Sequence, residues 1–282
     1  MSSLANRRVP RAPLVLAALL VTASGVGIAS GGNGFYASYP AVLAGMVGQD
    51  VVSLLVAVPL LLLAARSAAR GSVRGTLILA GILFYLAYGY SYYVLGGFNA
   101  LFPVYIAIVA VSLYALLALL VGLDPMAVAT QVQPGLPRRI VAGFQLGVGL
   151  LFVVMWGGMI VSLIASNKQP DPVPHGVVAL DGMILLPALL IGGWLLWRAA
   201  AWGFALGAIL LTKLALTGGT LAFTTALSWV WSGAIDDFNL ILLMIFGAMA
   251  VIATGLAVPY LRHIGDGPIA SLRLGITIGG RG

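Results

Sequence analysis

Three charged side chains stand inside apolar stretches of the sequence. Lys213 lies in LLTKLAL, Asp50 in MVGQDVV and Asp181 in ALDGMIL. An amine approached by carboxylates away from water can hold an anion or carboxylate, relay a proton, or close as a buried ion pair. Phenols and an amide accompany them. Tyr85, Tyr88, Tyr90, Tyr92 and Tyr93 crowd one stretch, and Asn99 and Tyr105 follow it. Tyr85, Tyr88 and Tyr92 are spaced i, i+3 and i+7, which puts them on one face of a helix. The candidate binding residues are therefore Lys213, Asp50, Asp181, Tyr85, Tyr88 and Asn99, with Trp156 at the same depth.

Plainer roles compete with this one. Tyr92 and Tyr93 also suit an aromatic belt at a membrane surface. Asp50 and Asp181 also suit helix N-caps. Lys213 also suits a structural ion pair, and Pro59 and Pro187 suit helix kinks. No catalytic residue is assigned, and an enzyme is the less favoured class. Cys and Glu are absent, and His175 and His263 fall on opposite sides of the membrane. No cluster has metal-ligand spacing, and no P-loop, nucleophile elbow or dinucleotide fingerprint occurs, so no metal or cofactor is expected.

The elements that must position these residues follow from composition. The chain has 282 residues, 61% of them hydrophobic and only 7% charged. Its mean hydropathy is +1.11. A soluble domain carries about 25% charged residues, so both a soluble fold and disorder are excluded. The apolar runs are near-continuous and long enough for helices that cross a bilayer, unlike the alternating strands of an outer-membrane barrel. Hydropathy marks eight segments, roughly 12–30, 49–65, 75–95, 98–122, 140–165, 177–197, 202–223 and 240–261. The expected fold is all-α, a single integral membrane bundle of eight transmembrane helices over 1–282, with a short tail at 262–282. Lys213 is eleven residues into the seventh segment, near the midplane at 1.5 Å per residue. A charge there costs at least about 2.5 kcal/mol on insertion scales, so it must face the bundle interior.

Charge placement gives orientation. Twelve of the basic residues, all arginines, fall in alternate loops and termini, and the other loops hold only Lys168. Cytoplasmic loops carry the excess of Lys and Arg. This predicts an inner (plasma) membrane protein with both termini in the cytoplasm. The formal net charge of +7 is then topology rather than nucleic-acid binding. Arg7, Arg8 and Arg11 followed by an apolar run ending in GIASGG also fit a secretory signal peptide, but the length of the run favours a retained helix.

A parallel 4+4 repeat is also expected, with halves at 12–122 and 140–261. Asp50, Pro59 and Arg66 would match Asp181, Pro187 and Arg198. Gly75 would match Gly203, and Phe98–Asn99 would match Phe238–Asn239.

The stretches GQDVVSLLVAVPLLLLA, FYLAYGYSYYVLGGFNALFPVY, LDGMILLPALL and GAILLTKLAL resemble an uncharacterised family of bacterial multi-pass membrane proteins. The resemblance implies a fold and no activity. It implies that positions matching Asp50, the tyrosine-rich stretch, Asn99, Asp181 and Lys213 recur. The functional expectation is a small-molecule or ion transporter or channel-like protein with an outward-facing polar site, its partners being membrane lipids and a small molecule or ion. The alternatives are a membrane-embedded enzyme acting on a lipid-type substrate, and a non-catalytic assembly or sensor component.

Overall fold

A computed structural model describes residues 11–30, 36, 43–95, 98–168 and 172–266. Arg7, Arg8, Phe35, Tyr39, Arg273 and Arg281 lie outside the described residues, as does most of the tail. Of the described residues 87% are helical and none belongs to a strand. Eight of the helices are long and apolar enough to cross a membrane. They are α1 Arg11–Ala29, α2 Ala44–Ala69, α3 Val73–Leu95 and α4 Phe102–Gly122, then α6 Arg138–Ser166, α7 His175–Trp197, α8 Ala201–Ser232 and α9 Asp237–Arg262. A short helix, α5 Pro125–Thr130, lies between α4 and α6, with the Asp124 side chain capping its first turn.

The chain is a helical bundle built as a multi-pass membrane protein. Val121, Ile164 and Val251 are among its most exposed side chains. Such apolar outer faces suit lipid and not water. Its centre is the pair α3 and α8, of whose spans 72% and 67% are buried, against 11% for α6 and α9.

Two boundaries differ from the hydropathy segments. The second helix begins before residue 49, which puts Asp50 well inside it. The seventh runs on past Phe223 to Ser232. Its last turns carry Thr220, Thr224 and Thr225, which lower hydropathy. Their hydroxyls donate to the carbonyls of Leu216 or Leu221 one turn back, at 2.8 to 3.0 Å, so the polar groups are absorbed by the helix itself.

The two halves share a backbone device repeated 128 residues on. A widened π-helical turn, Ser53–Ala57 in α2 and Asp181–Leu185 in α7, precedes Pro59 and Pro187. A proline ring clashes with the carbonyl four residues back, and the widened turn makes room for it. The helices then end on Arg70 and Arg198. Gly71 and Ala199 follow with φ of 89° and 56°. One turn into α3 and α8, Gly75 and Gly203 press on the preceding helix, against Ser67–Ala68 and Leu195–Leu196 respectively. A Cβ at either glycine would strike main-chain atoms there. Gly143 and Gly147, four residues apart on α6, have nothing within 4 Å of an added Cβ among the described residues.

This register matches Pro59 to Pro187 and Gly75 to Gly203. It sets Ser53, not Asp50, against Asp181, and Arg70, not Arg66, against Arg198. It also sets Tyr85 against Lys213. Asn99 precedes α4 while Asn239 lies within α9, so the two FN pairs are not equivalent.

The described arginines gather at one end. Arg74 donates to the carbonyls of Ile264 at 2.6 Å and Arg262 at 3.2 Å, and Arg138 to that of Trp197 at 2.8 Å. These carbonyls belong to chain leaving helix C-termini, where cations are favoured.

Candidate functional site

Five of the six candidate residues divide between two places, and Tyr85 lies in neither. Asp50 is fully buried on the α1 side of the bundle. Tyr36 donates to its Oδ2 at 2.7 Å, and Tyr93 to its Oδ1 at 3.2 Å. Tyr93 also donates to the Met46 carbonyl at 2.8 Å. Tyr90 lies 3.1 Å from both Ser24 and Ser53. The rings of Tyr93 and Tyr105 are 4.8 Å apart, and Tyr105 donates to Tyr36 at 3.4 Å. Tyr36 lies outside the spans, and its phenol is held far above its ordinary pKa, by burial first and then by the Asp50 charge. It therefore stays a donor. Gly27 of α1 makes this approach possible, because a Cβ there would collide with Asp50 and the Tyr36 hydroxyl. Asn99 caps the entry to α4, accepting from Leu101 N at 2.8 Å, and hydrogen-bonds Tyr105.

Asp50 is thus no N-cap, and Tyr93 is no membrane-surface belt. Both are parts of a closed knot of hydroxyls around one carboxylate. Buried polar groups that find all their partners rigidify a core.

The second place is a cavity of about 520 Å³ among α2, α3, α6, α7, α8 and α9. Lys213, Asp181 and Tyr88 line it together. Tyr88 donates to Asp181 Oδ1. Trp156 Nε1 donates to Asp181 Oδ2 at 2.8 Å, and Tyr92 donates to the Tyr88 hydroxyl. Asp181 begins the widened turn of α7, well past the helix start, so it is no N-cap either. The Lys213 Nζ stands 3.9 Å from the centroid of the Tyr88 ring and 5.8 Å from that of Phe84. A cation is attracted to such a face. Among the described residues it has no hydrogen-bond partner, although its side chain is fully buried. Asp181 is the carboxylate whose charge acts on it.

One turn further along α8, Thr217 lines the same cavity, and its buried Oγ1 is also unpartnered. Sequence reasoning missed Thr217. Its spacing of i+4 from Lys213 was the available signal. Tyr85 does not line the cavity. It lies behind the wall, 2.8 Å from Thr220 Oγ1, and accepts from Gln49 Nε2 at 2.8 Å. Gln49, Tyr92, Tyr93, Thr220 and Thr224 also line the cavity, and the remaining wall is mainly apolar, with Met46, Phe152, Met155, Phe246 and Met249 on it. The rings of Phe152 and Phe246 lie 6.4 Å apart and bridge the lipid-facing helices α6 and α9. At the end of the bundle away from the arginines, Phe238 on the cavity wall is 68% exposed.

Among the described residues no three His, Cys, Asp or Glu side chains gather to hold a metal ion. Comparison with family models, curated proteins and solved structures gave no match.

Proposed function

We propose that the protein is a plasma-membrane transporter or channel-like protein for a small molecule. The ligand occupies the cavity between α2, α3, α6, α7, α8 and α9, with Lys213, Asp181 and Tyr88 as its polar pole. The observation that carries this reading is a large, mainly apolar cavity holding a fully buried amine with no hydrogen-bond partner among the described residues. Ligand sites are mostly apolar concavities with a few convergent polar groups. Ionisable residues inside membrane spans often mark substrate or ion pathways. The arginine-rich end faces the cytoplasm, so the cavity opens to the outside at Phe238. On the cytoplasmic side of Lys213 the bundle is tightly packed. Gly81 admits Thr212 there, and Gly207 admits the Tyr260 hydroxyl. That packing is the closed side of an outward-open state.

The chain has no native cysteine, so single cysteines report cleanly. A Thr217→Cys variant should react with a membrane-impermeant thiol reagent from outside, and from inside in a fraction of molecules as the protein cycles. Reaction from one side only, under all conditions, argues against transport. Reporter fusions after Arg70 and Arg198 should read cytoplasmic and one after Lys168 should read external. The reverse pattern overturns the orientation.

The Phe152–Phe246 wall between lipid-facing helices supports a second reading. In it the protein is a membrane-embedded enzyme that takes a lipid-type substrate sideways, with Asp181 as general base. Turnover of an added lipid, abolished by Asp181→Asn, would favour it over transport.

A further inference from the structure

We infer that the ligand is a single-tailed amphiphile with a carboxylate head, its two oxygens bound by Lys213 Nζ and Thr217 Oγ1 and its tail lying along the methionine- and phenylalanine-lined wall. The inference deepens the cavity reading above and rests on it.

The argument starts from unused donors. Buried polar groups are hydrogen-bonded in nearly all proteins, and each exception calls for an explanation. Three buried side-chain atoms lack a partner among the described residues: Gln145 Oε1, Lys213 Nζ and Thr217 Oγ1. Gln145 still donates to the Gly207 carbonyl at 3.0 Å, and it does not line the cavity. The other two line the same cavity from one face of α8, one turn apart. Both can donate, so the missing group is an acceptor.

Asp181 does not supply that acceptor. Its Oδ1 and Oδ2 accept from Tyr88 and Trp156. The carboxylate is held to the wall by neutral donors. The amine rests instead on the Tyr88 ring face, 3.9 Å from its centroid, which fixes its position and leaves its N–H bonds free. A head with two acceptor oxygens satisfies Lys213 and Thr217 together, whereas an alcohol oxygen serves them less well. A cationic head is repelled by Lys213. A dianionic phosphate is poorly matched, because among the described residues no arginine lines the cavity and Lys213 is the one basic residue that does.

The remaining walls fix the body of the ligand. Met155, Phe152, Phe246 and Met249 offer no polar side-chain partner beyond weak thioethers. Methionine adapts to varied apolar shapes, which suits a flexible chain. The lipid-facing bridge of Phe152 and Phe246 gives such a chain a path from the bilayer.

The test is equilibrium binding to the full-length protein in nanodiscs. The probes are dodecanoate, dodecanol and dodecyltrimethylammonium, at neutral pH. Dodecanoate should bind roughly ten- to a hundred-fold more tightly than dodecanol, the range of a hydrogen bond to a charged group. Dodecyltrimethylammonium should bind weakest. Lys213→Met should bring dodecanoate and dodecanol to equal affinity, and Thr217→Val should weaken dodecanoate by several-fold, about one neutral hydrogen bond. Lys213→Arg should keep the preference, and with Thr217→Val it carries the test if Lys213→Met does not fold. Equal binding of the acid and the alcohol, or a preference that survives Lys213→Met, overturns the carboxylate head and leaves the cavity reading standing. If none of the three probes binds the folded protein, the cavity reading falls with it.

Discussion

The two halves of the bundle treat the same backbone position in opposite ways. Ser53 and Asp181 open equivalent widened turns, and Tyr85 and Lys213 stand at equivalent depth on α3 and α8. In the first half these positions hold neutral hydroxyls with partners close by. Ser53 meets Tyr90, and Tyr85 meets Gln49 and Thr220. The nearby carboxylate, Asp50, is surrounded by phenols. In the second half the positions hold a carboxylate and an amine, and the amine is left without a hydrogen bond beside open space. The difference separates structure from function. A polar group whose partners are all in the chain stabilises the fold. One whose partner is missing is available to a ligand.

Removing the carboxylate of the closed half should have the largest effect on stability. Asp50→Ala deprives Tyr36 of its acceptor and leaves Tyr93 with the Met46 carbonyl alone, and should cost about 1.5–3 kcal/mol, the contribution of one hydrogen bond to a charged group. Thermal unfolding in detergent measures it. An unchanged Tm would mean that the knot is not structural. Gly27→Ala attacks the same knot sterically. Overpacking of this kind costs about 1–3 kcal/mol. Gly143→Ala is its control, because nothing lies within 4 Å of the added methyl. It should be neutral or gain up to about 1 kcal/mol of helix propensity. Tyr85→Phe removes neutral hydrogen bonds and should cost about 1 kcal/mol, with no change in dodecanoate affinity because its hydroxyl lies behind the cavity wall. Lys213→Met should also have a small effect on stability, under about 1 kcal/mol, because it removes a buried donor with no hydrogen-bond partner among the described residues. A loss as large as that of Asp50→Ala would place Lys213 in a closed structural pair and erase the contrast between the halves.

Much of this architecture is legible in the residues themselves. Eight apolar runs and the arginine pattern mark the helices and their common end. The depth of Lys213 follows from counting along its segment, and its inward face from the cost of charge in lipid. Asp50 and Asp181 were harder. Both are aspartates shortly before a proline, and they look equivalent. The register of the widened turns separates them by three residues, and no propensity encodes that offset.

The hydrophobic content of the chain and the spacing of its arginines determine an eight-helix membrane bundle, because lipid leaves a long apolar segment little alternative to the helix. The interior-facing placement of Lys213 is determined the same way. Which polar group meets which is decided only in three dimensions. Asp50 finds Tyr36, fourteen residues earlier, across a gap that Gly27 opens. Asp181 finds Tyr88 and Trp156 on two other helices. Lys213 finds a ring face and no acceptor. Hydropathy counts how apolar each segment is. Hydrogen bonds require atoms within about 3 Å, and only the packing of the helices against one another sets those distances.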